Sequence, residues 1–322
     1  MKISQVLKTS CARFALVFGK TTPLRVTHVI THRCNLKCTF CKLPVVTAEL
    51  STEEIKTKMQ YFKKLGTLAW GFTGGEALTR KDLPELVKYA KRECKFITSL
   101  ATNGTLFENF REVGAGDLDF LMVSLEGDKE KNDSIRGAGS YERSLETLRA
   151  AKTKDIKVIS VESVLQDNNI EEIKYLTRLA SELDIYYGFQ PLFDMGSGLE
   201  DAGIISSEKR RENLVRNIEY LHSVEDKRML TSKEFLRYCM NYGKMGSNVN
   251  SCFAGRLYCQ MMPDGSLQNC WWRGGENKTD SFNGLEKPKP GCYCWPQCHA
   301  EYSFIFTLNL KAVMNILKKF KF

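Results

Sequence analysis

Between residues 26 and 193, short apolar runs alternate with longer stretches whose apolar residues recur every three or four positions. The runs VTHVIT (26–31), TLAWGF (67–72), KFITSLAT (95–102), DLDFLMVSLEG (117–127), IKVISVESVL (156–165) and IYYGFQPLF (185–193) hold few alternating polar positions, as strands do when both faces are covered. Between them, 51–66, 81–94, 140–154 and 169–183 carry helical periodicity, and the first opens on a cap-like Ser51-x-x-Glu54. Strand–helix alternation with right-handed crossovers predicts an α/β fold on a parallel sheet, either open or a partial (β/α)6 barrel. In both, function gathers at the carboxyl ends of the strands.

The pattern changes after about 195. A Gly-rich loop (194–203) precedes helical segments near 207–222 and 232–242, and from 250 the chain is rich in Cys, Gly, Pro and Trp. Both ends read as amphipathic helices. The expected divisions are an N-terminal extension (1–24), a core (25–225), a helical linker (226–250), a Cys-rich domain (251–303) and a basic C-terminal helix (304–322).

Composition narrows the class. Of 322 residues, 43% are hydrophobic and 26% charged, the balance of a soluble globular protein. The net charge of +9 suits nucleic acid, an anionic membrane surface or an acidic substrate without choosing among them. No nucleic-acid-binding signature is present, so nucleic acid is not an expected partner. Lys8, Thr9, Ser10 and Arg13 interrupt any secretory h-region, and no apolar run reaches bilayer-spanning length. The expected compartment is the cytoplasm, where thiols stay reduced. The tail sets Lys311, Lys318, Lys319 and Lys321 beside apolar positions 306, 310, 313, 314, 317 and 320. It reads either as a helix packed on the core or as a peripheral contact with the inner membrane face.

Twelve cysteines in a reducing compartment point to metal or redox chemistry before disulfides. Cys11, Cys94 and Cys239 stand alone and read as small buried hydrophobes. Cys34, Cys38 and Cys41 fall in CNLKCTFC, straight after the first strand. Iron–sulfur clusters take closely spaced thiolates. Four thiolates would fill a cubane, whereas three leave one iron for a substrate or cofactor, as an open catalytic metal site does. Zinc suits paired Cys-x-x-Cys knuckles or a mixed Cys/His site better, and the nearby His32 reads as packed at the strand end. After the second strand, GFTGGEALTR supplies Gly74 and Gly75, which permit close backbone approach, and Glu76, whose carboxylate suits an ammonium group.

Cys34-x3-Cys38-x-Phe40-Cys41 after the first strand of a β/α array resembles the radical S-adenosylmethionine (SAM) superfamily. That resemblance covers roughly residues 25–195. It implies that the three cysteines hold a [4Fe–4S] cluster whose remaining iron is chelated by the amino and carboxylate groups of SAM. One electron then cleaves SAM to methionine and a 5′-deoxyadenosyl radical, which abstracts hydrogen from a substrate. The resemblance places Gly74-Gly75-Glu76 at the SAM amino group, and Ser124 and Glu126, near the end of the fourth strand, near the ribose or carboxylate. It also places Arg136 against the methionine carboxylate and Phe40 beside the cluster. ATNGT (101–105) ends the third strand as in relatives. An electron donor such as flavodoxin or ferredoxin is implied as a partner.

The second group comprises Cys252, Cys259, Cys270, Cys292, Cys294 and Cys298, with Pro263-Asp264-Gly265 predicting a tight hairpin. The residues themselves leave zinc and iron–sulfur both open. Cys252-x12-Gly265-x4-Cys270 resembles the start of SPASM or twitch extensions, which implies one auxiliary [4Fe–4S] cluster on Cys252, Cys270 and Cys298. A fourth ligand would come from Cys259 or Cys294, leaving Cys292 spare. Trp271, Trp272 and Arg273 line the interdomain cavity or simply pack around that cluster. A peptide, a lipid or lipid-linked glycan, or a sugar or other small molecule is the expected substrate. The rival expectations are a non-catalytic zinc-binding scaffold and an RNA-modifying radical enzyme.

Overall fold

The computed structural model describes residues 21–41, 48–165, 170–192, 208–240, 253–269 and 279–285. Strands β1 (Arg25–Thr31), β2 (Ala69–Gly74), β3 (Ile97–Thr102), β4 (Phe120–Ser124), β5 (Val158–Leu165) and β6 (Tyr186–Pro191) pair in sequence order, all parallel. Helices α1 (Thr52–Lys64), α2 (Leu83–Arg92), α3 (Phe107–Arg111), α4 (Lys129–Arg136), α5 (Ser140–Ala151) and α6 (Ile170–Glu182) connect them. This is the expected α/β array, consistent with a partial barrel. The short helices α3 and α4 were not expected.

The first crossover shows how local sequence fixes an element. The Ser51 hydroxyl accepts from the Glu54 amide while the Glu54 carboxylate accepts from the Ser51 amide, completing the capping box. Ile55, Met59 and Phe62 then bury one stripe of α1. Phe62 meets Trp70 edge-on at 5.6 Å, and Trp70 stacks on Phe96 at 5.7 Å.

Strand parity divides the sheet into two faces. Val26, His28, Trp70, Phe72, Leu100, Leu121 and Val123 share the helix-covered face. The inner face carries Thr27, Thr73, Met122, Ser124, Glu162 and Gln190, all half-exposed. At its lower end Arg25 reaches across Gly71 to the Ser99 hydroxyl at 3.4 Å.

The hairpin at Pro263-Asp264-Gly265 forms as expected, between β7 (Tyr258–Met261) and β8 (Leu267–Gln268). Its place was not expected. β7 pairs in parallel with β1, Arg25 opposite Tyr258, so the sheet continues past the boundary drawn at 251. The turn docks on the entry to α1: Leu50 donates to the Pro263 carbonyl at 2.8 Å. Gly265, at φ +80°, lies where a Cβ would meet Leu50 at 2.8 Å.

Helices α7 (Glu208–Ser223) and α8 (Lys233–Met240) pack together. The segment between them pairs along the outer side of β6 through Arg228 and Leu230, covering that edge. Cys94 and Cys239 lie in the hydrophobic core as expected. Among the described residues no helix is long and apolar enough to cross a membrane.

One core residue sets a pH dependence. His28 is fully buried against Trp70 and Phe72, and neither ring nitrogen has a hydrogen-bond partner among the described residues. Burial, aided by the nearby Arg80 cation, drives its imidazole down to about 3. The unfolded chain therefore takes up a proton near pH ~6.5 that the native state refuses. Stability is full above that pH and is lost as pH falls from there toward 3. We expect His28→Phe to keep the packing and remove this slope. Urea unfolding at pH 7, 5 and 4 checks it, and the wild type should lose a few kcal/mol that the variant retains, at about 1.4 kcal/mol per pH unit.

Candidate metal centre

The cysteine loop leaves β1 at Thr31 and is seated on the exit of β2. The Gly75 amide donates to the Thr31 carbonyl at 2.9 Å, and the Glu76 amide to the Arg33 carbonyl at 2.8 Å. The backbones lie so close that a Cβ on Gly74 would stand 2.3 Å from the Thr31 oxygen. One on Gly75 would stand 2.4 Å from the Arg33 oxygen and 2.7 Å from that of His32. These glycines, expected to admit a ligand, admit the chain's own cysteine loop.

Within the loop, Cys34 and Cys38 are half-buried and Cys41 is exposed. The Cys41 amide closes a turn on the Cys38 carbonyl at 3.0 Å, and the Thr39 amide ties the loop to α4 through the Ile135 carbonyl. Asn35 joins it to the end of β3, donating to the Thr105 hydroxyl at 2.8 Å and accepting from the Asn103 amide at 3.0 Å. Donors also point at the sulfurs. The Leu36 amide lies 3.4 Å and the Asn103 amide nitrogen 4.0 Å from Cys34 Sγ, and Arg136 Nη1 lies 4.0 Å from Cys38 Sγ.

Burial pushes both the Cys34 and Cys38 thiols up; the Leu36 amide partly offsets this at Cys34, and Arg136 does so at Cys38. Loading a metal here therefore releases protons. Among the described residues no three His, Cys, Asp or Glu side chains are gathered at metal-holding distances. The three thiols share one loop without converging. His32 lies buried at the strand end, as expected. A set of thiols with N–H donors and a guanidinium at the sulfurs suits an anionic iron–sulfur cluster.

The other expected residues stand close by. Glu76 is 1% exposed. Its carboxylate accepts from the Leu78 amide (2.9 Å), the Thr102 hydroxyl (2.8 Å) and the Asn103 amide (2.6 Å). It holds the β3 exit in place. Burial raises its pKa against the pull of those donors. Ser124 ends β4 on the inner face, opposite Glu162. Glu126 is turned inward, accepting from Ser163 Oγ at 3.1 Å and the Val164 amide at 2.9 Å. Its other oxygen pairs with Arg136. Arg136, in the last turn of α4, lies 5.8 Å over the Phe40 ring.

Sequence reasoning passed over Asn35, Asn103, Thr105 and Asn132, which brace these loops. The Asn132 side chain accepts from the Glu126 amide at 3.0 Å and donates to Ser140 at 2.8 Å. ATNGT carried a readable signal, since its Asn and Thr side chains hydrogen-bond their own turn. Cys259, expected as a candidate auxiliary ligand, lies in β7 opposite Val26 on the helix-covered face. It is 1% exposed, and burial drives its thiol far up. Cys252, Cys270, Cys292, Cys294 and Cys298 lie outside the described residues, as do Trp271, Trp272, Arg273 and both terminal helices expected from the sequence.

Residues 28–180 match the radical SAM superfamily. The chain is 36% identical over 177 residues to the Fe-coproporphyrin III synthase of Methanosarcina barkeri, covering 52% of this chain and 43% of that protein. It is 33% identical over 170 residues to the PqqA peptide cyclase of Rhodopseudomonas palustris, covering 50% and 45%. The chain thus spans less than half the length of these two relatives. In fold it resembles Streptococcus suis SuiB bound to S-adenosylmethionine, with a TM-score of 0.64 at 18% identity over 84% of this chain and 66% of that one.

Proposed function

We propose, from the match of residues 28–180 to the radical SAM superfamily, that this chain is an enzyme in which Cys34, Cys38 and Cys41 hold a [4Fe–4S] cluster with SAM as the remaining partner. When bound, that pair supplies one-electron cleavage of SAM to methionine and a 5′-deoxyadenosyl radical, the chemistry that takes hydrogen from an unactivated carbon. A flavodoxin or ferredoxin would supply the electron. The observation that carries the reading is the three-cysteine loop, seated on Gly74-Gly75 and given N–H donors at two of its sulfurs.

Phe40, Gly74, Gly75, Glu76, Ser124, Glu126 and Arg136 form the ring of groups at the strand ends from which SAM would be bound. Of these, Ser124 opens to the inner face, the side suited to a nucleoside. Glu76, Glu126 and Arg136 brace the loops that present it. The half-exposed polar positions of the inner face, Thr27, Thr73, Glu162 and Gln190, would receive the substrate. A peptide is the favoured substrate class, supported by the 33% identity to a peptide cyclase.

A second cluster on Cys252, Cys270 and Cys298 completes the proposal. Its fourth ligand is Cys294 in preference to Cys259, a choice supported by the burial of Cys259 in the core. Iron and sulfide analysis should find two cubanes per chain, and zinc with one cubane would overturn this part.

The test is anaerobic reconstitution with iron and sulfide, then SAM and dithionite, with 5′-deoxyadenosine as the readout. Product should form with the wild type and fall to background in Cys38→Ala. A fully iron-loaded protein that makes none, and whose reduced cluster is spectroscopically blind to SAM, would sink the proposal in favour of a binding scaffold.

A further inference from the structure

We infer that Arg136 sets the reduction potential of the cluster on Cys34, Cys38 and Cys41, with Glu126 as its counterweight; this rests on the cluster-binding function proposed above. Arg136 is 8% exposed, and a cation is buried only where its surroundings hold it. Its Nε and one terminal nitrogen both pair with a single oxygen of Glu126, the former at 3.1 Å. The other Glu126 oxygen is held by Ser163 and Val164 of β5. The guanidinium carbon lies 5.8 Å over the centre of the Phe40 ring. Fixed on two sides, Arg136 directs its remaining edge, Nη1, at Cys38 Sγ, 4.0 Å away. Its guanidinium therefore belongs to the thiolate as well as to the carboxylate.

Hydrogen bonds to ligand sulfurs and nearby net charge are two of the levers that set an iron–sulfur potential. Reduction adds an electron to a centre that is already anionic. A fixed cation at one ligand sulfur favours the reduced state. The Glu126 carboxylate, on the far side of the guanidinium, opposes it. The pair is thus a graded device: the cation is always charged, and its effect is trimmed by an anion that touches the cation and not the sulfur. Arg136 acts here through Cys38, as a positioning and tuning residue.

The experiment is an EPR-monitored redox titration of the reconstituted full chain without SAM, following the reduced-cluster signal that Cys38→Ala lacks. Arg136→Met, similar in length and uncharged, should lower the potential by at least 59 mV, a tenfold weaker one-electron reduction. Arg136→Lys keeps the charge and should fall less than half as far. Glu126→Gln should move the potential upward. If Glu126→Gln fails to fold, the Met and Lys pair decides alone. An Arg136→Met protein with full iron and an unchanged SAM-free potential overturns the inference, even if its SAM affinity is lost. A wild type that shows no Cys38-dependent [4Fe–4S] signal overturns the proposed function itself.

Discussion

Gly75→Val is expected to produce a folded protein that cannot keep the iron of the Cys34–Cys41 loop. The Cβ would stand 2.4 Å from the Arg33 carbonyl and 2.7 Å from that of His32. Both are backbone atoms, so no rotamer change relieves the contact. Either the β2 exit or the cysteine loop must shift, and the loop has fewer ties. Overpacking of this kind costs about 1–3 kcal/mol, which the core can bear. The loss falls on the Asn35, Thr39 and Cys34 contacts that shape the loop. Iron per chain after reconstitution should drop to about half of wild type, the auxiliary cluster remaining, with a fall of a few degrees in the unfolding midpoint. Gly71→Ala is the control. The atoms nearest its Cβ would belong to the Ser99 and Arg25 side chains, not to the backbone of the cysteine loop, so its iron content should match wild type.

Glu76→Gln is the second large effect, and it separates two roles for one carboxylate. As an ammonium partner, Glu76 would matter to SAM binding alone. The structure gives it three donors from the chain itself. An amide nitrogen placed there confronts at least one of them and leaves a buried donor without an acceptor, at about 1–3 kcal/mol. The Asn103 amide is the contact at stake, and through Asn103 and Asn35 the strain reaches the cysteine loop. We expect the unfolding midpoint, iron content and SAM affinity to fall together. A variant with wild-type iron and stability but weak SAM binding, read by calorimetry on the reconstituted protein, would return Glu76 to the purely ligand-binding role. Glu76→Ala, which leaves all three donors bare, should be less stable still.

The six parallel strands and their long connecting helices were legible because each declares itself within its own segment. The run 156–165 reads as a strand without reference to any partner, and 51–66 carries its own capping box. The pairing of β7 with β1 was not legible, because nothing near residue 258 names residue 25 as its neighbour. The inference that glycines permit close approach was sound, but the sequence could not say what approaches. At Gly75 it is a carbonyl of the same chain. Cys259 shows a different limit of sequence reading. Grouping it with the other late cysteines used their spacing in the chain, whereas strand parity governs the side chain. In Tyr258-Cys259-Gln260-Met261, Tyr258 and Gln260 take one face and Cys259 and Met261 the other. Alternation alone could have placed Cys259 beside Met261 in the core. Arg136 and Glu126 were both expected at SAM, the first against the methionine carboxylate and the second near the ribose or carboxylate. Their attachment to each other was hidden by the loop and helix between them.

The parallel pairing of β1 with β7 has a consequence for synthesis. β1 leaves a ribosome long before β7. At roughly 5–20 residues per second, the strand that covers β1 arrives about 10–50 s after it. Throughout that interval the edge of the strand leading into the cysteine loop offers unpaired amides and carbonyls to any other nascent chain. A chain truncated after residue 240 would keep that open edge permanently. It would also lack the tie from Leu50 to Pro263 that pins the entry of α1. Such a fragment should collect in inclusion bodies, and coexpression with a holdase chaperone should help it more than it helps the full chain.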